Sequence, residues 1–290
     1  MPAPTHWKIR GRELSLARPL VMGIVNVTPD SFSDGGRYLS PGAALAHAAK
    51  LVAEGADIID VGGESTRPQG ARDVLVDAEL RRVLPVIRTL AAERPEIVIS
   101  VDTVKAAVAE AALAAGAHIV NDVSGLRLDD EMAAVCAAGG AGVLVMHSRG
   151  GVADMGTLEH AEYGERFLDE MLVELAGRVR DVERAGVVRA AIAVDPGIGF
   201  AKRPEHSLRA LACLERLAAW GYPVAVGASR KRFIGHITGE SNPKHRVFGS
   251  VGAAVAAYDR GAHVLRVHDV AATRHALDVA AAIRAAGADE

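Results

Sequence analysis

The 290-residue sequence predicts an α/β fold, a single (β/α)8 barrel of the TIM type. Eight short runs rich in Val and Ile recur at roughly thirty-five-residue spacing, with stretches of helical spacing between them. The runs are apolar throughout and do not alternate with polar residues, which is typical of parallel strands buried on both faces. Nearly every run also ends in a polar residue.

The eight predicted strands can be located in order along the chain. They are LVMGIVNV near 20–27, DIIDV at 57–61, IVISVD at 97–102, HIVNDV at 118–123, GVLVMH at 142–147, AAIAVD at 190–195, PVAVGAS at 223–229 and HVLRVHD at 263–269. Several of the helical segments between them close on a Gly, as helices commonly do. A longer helical region at about 159–185 predicts an enlarged fifth connection. We expect one domain over 1–290, with a short extension at about 1–19.

An open doubly wound sheet is the competing architecture. The count of eight favours the barrel, in which all strand ends open on the one face that carries the active site of such enzymes. An open sheet would bring together only the residues near its switch point. We therefore expect the polar residues at the strand ends to converge; they are Asn26, Asp60, Asp102, Asn121, Asp122, His147, Asp195, Ser229 and His268.

Composition narrows the class of protein. The formal net charge of -3, with acids and bases interspersed, gives no indication of a nucleic-acid partner. Cys136 and Cys213 are far apart in the sequence, which argues against a disulfide framework or a cysteine zinc site. No run reaches the ~20 apolar residues of a membrane span, and we expect a soluble cytoplasmic protein. No dinucleotide-binding Gly motif or Walker loop occurs.

Two carboxylates suggest a pocket for a heterocycle. Asp102 and Asp195 each end an apolar strand, and the turn-forming PGIGF follows Asp195. Either acid could instead cap the next helix. Together with Asn121 on the same rim, however, they present acceptors and an amide to one cavity, which suits a ring with an amidine-like donor edge.

Two polar loops and a group of cations complete the predicted face. Phe32 lies in the turn-rich loop NVTPDSFSDGG, where an aromatic residue is typical of a lid, and Asn26 suits a phosphate-bound Mg²⁺. In the loop GESTRPQGARD, Thr66 and Arg67 suit a phosphate or carboxylate, although Glu64 and Arg67 could simply form a surface pair. The cations are Arg230, Lys231, Arg232 and Arg266, after the seventh strand and on the eighth, where barrels commonly bind phosphate. Ser229 could cap the helix that follows it.

Seven motifs in order resemble the dihydropteroate synthase family. They are MGIVNVTPDSFSDGG, DVGGESTRP, SVDT, IVNDVSG, DPGIGF, GASRKRFIG and RVHDV, and they run from Met22 to Val270. The resemblance implies a pterin-binding TIM barrel that condenses 6-hydroxymethyl-7,8-dihydropterin pyrophosphate with p-aminobenzoate in folate synthesis. It also implies Mg²⁺, a cytoplasmic homodimer and a sulfonamide target.

The resemblance assigns roles to positions that match the family's motifs. For the pterin it implies Asp102, Asn121, Asp195 and Lys231, with Met146 and Phe200 as apolar walls. For pyrophosphate it implies Arg266, His268 and Asn26, and Asn26 also touches the metal. For p-aminobenzoate it implies Phe32, Thr66, Arg67, Pro68 and Ser229. Asp34 and Arg67 are expected to order the two loops, and Asp102, Lys231, Asp34 and Arg67 form the predicted catalytic set.

The chain departs from the family pattern at two loops. Gln69 lengthens the second loop by one residue, on the p-aminobenzoate side, and the fifth loop differs at Ser148, Val152 and Asp154. We expect the fifth-loop change to reshape only the outer rim. Two other functions remain open at this point: a non-catalytic pterin-binding homologue, and a pterin-dependent methyltransferase with a corrinoid partner. Arg266 and His268 argue against the methyltransferase, which has no pyrophosphate to hold.

Overall fold

A computed structural model describes residues 3–28, 41–64 and 74–288. Its strands are β1 (His6–Ile9), β2 (Arg12–Ser15), β3 (Leu20–Asn26), β4 (Ile58–Gly62), β5 (Val98–Asp102), β6 (Ile119–Asp122), β7 (Gly142–Met146), β8 (Ile192–Asp195), β9 (Ala225–Val226) and β10 (Val264–Val267). Every one of the eight predicted runs contains a strand, from β3 to β10. The seventh strand is much shorter than its apolar run.

The helices follow the strands as a barrel requires. They are α1 (Pro41–Ala53), α2 (Val76–Glu93), α3 (Ala106–Ala114), α4 (Met132–Gly139), α5 (Phe167–Arg184), α6 (Pro204–Ala212), α7 (Leu214–Ala218), α8 (Arg232–Thr238), α9 (Val247–Asp259) and α10 (Val270–Ala288). Among the described helices, none combines the length and apolar character needed to cross a membrane.

The predicted start of the fifth helical region near residue 159 was wrong. Helix α5 begins at Phe167, whose side chain is fully buried and anchors the first turn in the core. The side chain of Glu170 accepts a hydrogen bond from Gly164 N at 2.8 Å, which folds the preceding segment back onto the first turn. Residues 159–166 therefore belong to the loop between β7 and α5.

The eight inner strands form one parallel sheet in the order β8-β7-β6-β5-β4-β3-β10-β9. A bridge between Val194 in β8 and Val224, just before β9, joins the two edges. Val194 N donates to Pro223 O at 2.9 Å at the same place. The sheet is therefore closed, which confirms the barrel and excludes the open doubly wound sheet.

Antiparallel strands β1 and β2 form a hairpin under the amino end of the barrel. Trp7 and Ile9 from β1 pack against residues at or near the strand starts, including Leu20 and Ile58. Trp7 is completely buried, and its indole Nε1 donates to Ala191 O at 2.9 Å. The predicted extension is thus a plug that closes the end of the barrel opposite the strands' carboxyl ends.

Candidate active site

Strand register places three of the predicted residues along one rim. Asn26 pairs with Gly62, Gly62 with Asp102, and Asp102 with Asn121, on the neighbouring strands β3 to β6. A β-carbon added at Gly62 would lie 3.6 Å from Asp102 Oδ2 and 3.7 Å from Asn26 Oδ1. These two oxygens therefore flank the space above Gly62, which is open because this position has no side chain.

Arg266 reaches from β10 across the barrel to two acids. Its Nε donates to Asp60 Oδ2 at 2.7 Å and its Nη2 donates to Asp102 Oδ2 at 2.6 Å. Asn121 Nδ2 also donates to Asp60 Oδ2, at 3.1 Å. Burial alone would lower the pKa of Arg266, but the carboxylates of Asp60 and Asp102 raise it above its usual value, so the guanidinium stays cationic.

Asp60 was expected on this face with the other strand-end residues, but no role in binding or catalysis was predicted for it. It is fully buried in the middle of β4, one layer below the rim, and it orients both Arg266 and Asn121. Its Oδ1 has no hydrogen-bond partner among the described residues. A carboxylate inside an apolar strand was the available signal, because such a group is rarely buried without a function or a partner.

The second acid of the predicted pterin pocket ends β8. Asp195 Oδ1 accepts a hydrogen bond from Gly197 N at 2.6 Å, inside the turn that follows the strand. The alternative in which Asp195 caps the next helix was wrong, since α6 begins after Arg203. Burial raises the pKa of Asp195 to about 6, opposed by the Gly197 N–H and by the charge of Lys231.

Lys231 lies beside the apolar part of the same pocket. Its Nζ is 3.9 Å from the centroid of the Phe200 ring, a cation–π contact. Its Cδ lies 3.2 Å from where a β-carbon on Gly199 would be, so the lysine stem passes close over this glycine, whose φ is +78°. Burial lowers the pKa of Lys231 to about 7, and the neighbouring cation Arg266 adds to the shift.

Asp102 is a second acid of the site whose pKa is raised by burial. Burial raises its pKa to about 7, although Arg266 opposes the shift. Asp102 was a candidate helix cap, but α3 begins after Lys105 and Asp102 binds Arg266 instead. Perturbed ionisation of Asp102, Asp195 and Lys231 on one face is typical of a functional site.

Ser229 and His268 meet at the ends of the seventh and eighth runs. Ser229 Oγ lies 3.0 Å from His268 Nδ1 and also accepts the backbone N–H of His268 at 3.2 Å. The suggested cap at Ser229 was wrong, because α8 begins after Lys231 without a side-chain cap. Arg230, one of the late cations, turns away and binds Asp269 at 2.5 Å and 3.0 Å.

Glu64 stands at the start of the second predicted loop. It is 9% exposed and so is not a surface residue, and Arg67, its partner in the predicted alternative, lies outside the described residues. Its Oε1 accepts from Lys105 Nζ at 2.8 Å and from Val74 N at 2.7 Å. Lys105 Nζ also binds Glu79 Oε2 at 2.8 Å. This Glu64–Lys105–Glu79 triad connects Glu64 and Val74, which flank segment 65–73, to α2 and to the start of α3.

Two polar strand ends do not open onto this face. Asp122 Oδ1 accepts from Ser124 N at 2.7 Å within its own turn. His147 is fully buried and points toward α5, where its Nε2 lies 3.0 Å from Glu174 Oε2. The expected convergence thus holds for alternate residues only, because neighbouring strand residues face opposite sides of the sheet.

The fifth loop reaches further inward than expected. Val152 and Met155 are buried and form a cluster with Met146, against which Phe200 packs. The prediction that changes in this loop affect only the outer rim was therefore wrong for Val152. The remaining site predictions, on Phe32, Asp34, Thr66, Arg67, Pro68 and Gln69, lie outside the described residues.

Comparisons with known proteins find relatives that match most of the chain. Residues 22–268 match the family described as pterin binding enzyme. The dihydropteroate synthase of Synechocystis sp. is 44% identical over 266 residues, which cover 92% of this chain and 90% of that protein. The dihydropteroate synthase of Escherichia coli is 42% identical over 272 residues, which cover 93% of each.

Solved structures share the fold closely. The dihydropteroate synthase of Xanthomonas albilineans with 4-aminobenzoic acid superimposes with a TM-score of 0.90 at 46% identity, covering 98% of this chain and 99% of that one. The same enzyme in complex with 7,8-dihydropteroate gives 0.86 at 44% identity, with 97% and 99% covered. A Yersinia pestis dihydropteroate synthase with a sulfonamide drug complex gives 0.89 at 40% identity, again covering 97% and 99%.

Proposed function

This chain belongs to the dihydropteroate synthase family of pterin-binding enzymes, and we propose that its carboxyl-end face joins 6-hydroxymethyl-7,8-dihydropterin pyrophosphate to p-aminobenzoate. The products are 7,8-dihydropteroate and pyrophosphate. The observation that carries the proposal is the meeting of acid and amide groups with the Lys231–Phe200 wall on one face of the barrel. Few ligands other than a flat, nitrogen-rich ring would contact both the acid and amide groups and this wall.

The pterin is recognised by its edge and by its faces. Asp102, Asn121 and Asp195 supply acceptors and an amide for the ring's N–H edge, and the burial of Asn121 and Asp195 strengthens their hydrogen bonds. Lys231, beside the Phe200 ring, supplies a donor. The ring lies against Phe200 and Met146, so that an acidic edge and an apolar wall select a polar aromatic heterocycle.

Pyrophosphate is proposed to bind beside the pterin methylene group. Arg266 provides a cation that stays charged, and His268, directly after β10, provides its imidazole ring. Asn26 lies on the same rim through its register with Gly62. Segment 29–40 carries Phe32 and Asp34, and segment 65–73 carries Thr66, Arg67 and Pro68. We propose that Asp34 and Arg67 order these two loops. The residues proposed to contact p-aminobenzoate are Phe32, Thr66, Arg67, Pro68 and Ser229.

The proposed reaction is a dissociative substitution. The bond between the methylene carbon and the pyrophosphate oxygen breaks first, and the electron pair leaves with pyrophosphate. The resulting methylene cation is delocalised into the pterin ring, close to the buried carboxylates of Asp102 and Asp195. The aniline nitrogen of p-aminobenzoate then forms the carbon–nitrogen bond and loses a proton to pyrophosphate or water. No protein nucleophile takes part, and water must be excluded until the bond forms.

The residues of the rim fit the Mg²⁺ that the family implies. Asn26 Oδ1 and Asp102 Oδ2 both face the space above Gly62, and both are hard oxygen donors. Mg²⁺ commonly takes only one or two protein oxygens and completes its shell with phosphate and water. We propose that Asn26 holds it. When bound, the ion would neutralise charge on the departing pyrophosphate.

A pyrophosphate-release assay with both substrates, with and without Mg²⁺, tests the proposal. We expect product from the wild type and background rates from Lys231→Ala and Asp195→Ala, with unchanged circular dichroism. Lys244→Ala, on an exposed turn, is the matched control and should keep the wild-type rate. A wild type that binds the pterin substrate without forming product would support the non-catalytic homologue. Methyl transfer from a methyl-folate would support the methyltransferase.

We also propose a cytoplasmic homodimer. Phe248 is 90% exposed on α9 and Ile237 is 59% exposed on the neighbouring α8, and a pair of such apolar side chains on adjacent helices favours a protein contact. The described cysteines Cys136 and Cys213 are both free, which agrees with a reducing compartment. Light scattering after size-exclusion chromatography would measure the mass directly.

A further inference from the structure

Lys202 is a lysine in the interior of the protein. It lies between β8 and α6 and is 2% exposed. A buried ammonium group is normally paired with a carboxylate. The Lys202 Nζ has different neighbours: His147 Nδ1 at 2.8 Å, Phe200 O at 3.1 Å and His147 O at 3.4 Å. None of the catalytic steps described above uses this group.

The protonation states around Lys202 fix the direction of each hydrogen bond. Burial lowers the pKa of Lys202 well below its ordinary value, and its Nζ keeps N–H donors whether or not it is charged. Burial and the nearby Lys202 together lower the pKa of His147 to about 3, so the imidazole is neutral. Its Nε2 carries the proton and faces Glu174 Oε2 at 3.0 Å, which leaves Nδ1 to accept from Lys202. Glu174 is itself held by Arg149 Nε, at 3.1 Å and 3.2 Å from its two carboxylate oxygens.

These bonds connect the two chain segments that carry the apolar wall. Met146 directly precedes His147, and Phe200 lies two residues before Lys202. The turn after β8 rests directly on the end of β7, because a β-carbon on Gly197 would lie only 1.9 Å from His147 O. Lys202 therefore links the segment behind Met146 to the segment behind Phe200.

The loop needs this support because part of it is strained. Ala201, between Phe200 and Lys202, has a φ of +44°, a left-handed conformation that costs a non-glycine residue about 1 kcal/mol or more. Its N donates to Met155 O at 2.8 Å and its O accepts from Tyr163 Oη at 2.9 Å. Such a conformation persists only where surrounding contacts hold it.

We propose that Lys202 is a positioning residue for pterin recognition: through His147 and the Phe200 carbonyl it fixes the Met146–Phe200 wall against which the ring lies. Lys202 does not touch the substrate. The inference rests on the proposed function, since the wall has this role only if a pterin binds. It predicts a defect confined to the pterin substrate.

Lys202→Met tests the inference because it keeps the length of the side chain and removes its donors. We expect the KM for the pterin pyrophosphate to rise at least about tenfold, while the KM for p-aminobenzoate changes by less than about twofold. The ¹⁵N resonance of His147 Nδ1 should also shift, because it loses its donor. Lys50→Met, at an exposed ion pair on α1, should leave both KM values unchanged.

Glu174→Gln gives a second, milder test if Lys202→Met does not fold. Its side chain is 33% exposed, and the change weakens the other end of the His147 contact without burying a new group. We expect a rise in the pterin KM of about threefold or more. An unchanged pterin KM in the folded variant, or equal rises in both KM values, would overturn the inference. A wild type that forms no product would instead overturn the proposed function.

Discussion

Asp195 is an acid held where its ionisation is unfavourable. Its pKa is raised to about 6, mainly by burial, so the folded protein binds the proton more tightly than the unfolded chain does. Its contribution to stability is therefore fully present below the ordinary carboxyl pKa and is lost as the pH rises through about 6. At neutral pH the ionised carboxylate can bind a ligand, but its buried charge destabilises the fold.

Asp195→Asn should accordingly make the protein more stable at neutral pH. The amide oxygen can still accept the Gly197 N–H, and the cost of the buried charge disappears. We expect a gain of about 1–3 kcal/mol in the free energy of unfolding at about pH 7.5, which stays nearly constant down to about pH 6 and shrinks between about pH 6 and about pH 4. Urea titrations across this range measure it.

Asp181→Asn, at an exposed pair with Arg184, is the control and should change stability little. A destabilised Asp195→Asn, or a difference that does not depend on pH, would contradict the explanation.

The local sequence pattern predicted part of the site, whereas the rest depends on long-range contacts that the pattern does not reveal. Asn26, Asp102 and Asn121 were predictable because each ends a strand and register then aligns them. The partners of Arg266 were not, because Asp60 lies 206 residues away and the pairing depends on barrel closure. Lys202 carries no sequence signal of burial, since a lysine in a loop is normally exposed.

The Glu64–Lys105–Glu79 triad acts at the scale of elements. Glu79 in α2 is fully buried, Glu64 ends the segment after β4, and Lys105 immediately precedes α3. The Lys105 ammonium group therefore connects α2, the start of α3 and Glu64, which directly precedes segment 65–73. The side chains of Glu64 and Glu79 are 4% and 0% exposed, so neither carboxylate can be rehydrated if the lysine is lost.

Lys105→Met should destabilise the protein strongly. Two buried carboxylates would lose their common partner, and we expect a loss of about 3–5 kcal/mol in the free energy of unfolding. In the folded fraction, the KM for p-aminobenzoate should rise more than the pterin KM, since the loop between Glu64 and Val74 is proposed to bind that substrate.

Chemical denaturation and steady-state kinetics measure the two effects separately. Lys8→Met, at a half-exposed pair with Glu13, is the matched control. Wild-type stability in Lys105→Met would show that the triad contributes nothing.

Element boundaries were less predictable than element types. The eight strands follow from the pattern and spacing of the apolar runs, but β9 is reduced to Ala225–Val226 within its longer run. The β1–β2 hairpin was missed because each strand has only four residues. Buried and exposed side chains alternate along β1 because Trp7 and Ile9 pack against the barrel, and the local sequence does not contain that surface.

At the scale of the whole molecule, the two ends of the barrel have separate tasks. The amino end is filled by Trp7 and the apolar strand starts, whereas the carboxyl end carries the charged site. Stability can therefore be changed at one end without touching substrate groups at the other.

Trp7→Ala should lower stability and spare catalysis. The change opens a cavity beneath the barrel and removes the bond to Ala191 O, and we expect a loss of about 3–5 kcal/mol in the free energy of unfolding. The kcat of the folded protein, measured well below its melting temperature, should stay within about twofold of wild type. Trp220→Ala, at a partly buried site, should cost less. A large fall in kcat would show that the two ends are coupled.

The closure of the barrel by one bridge, Val194 to Val224, has a consequence for ligand binding. Asp195 stands at the end of β8 on one side of this seam, and Lys231 follows β9 on the other. A pterin bound by both side chains would connect the two sides of this seam at the carboxyl end of the barrel. Binding and seam closure are then linked equilibria: saturating pterin would slow hydrogen exchange at the β8–β9 edge more than elsewhere in the sheet. The substrate would be a temporary structural part of the barrel it occupies.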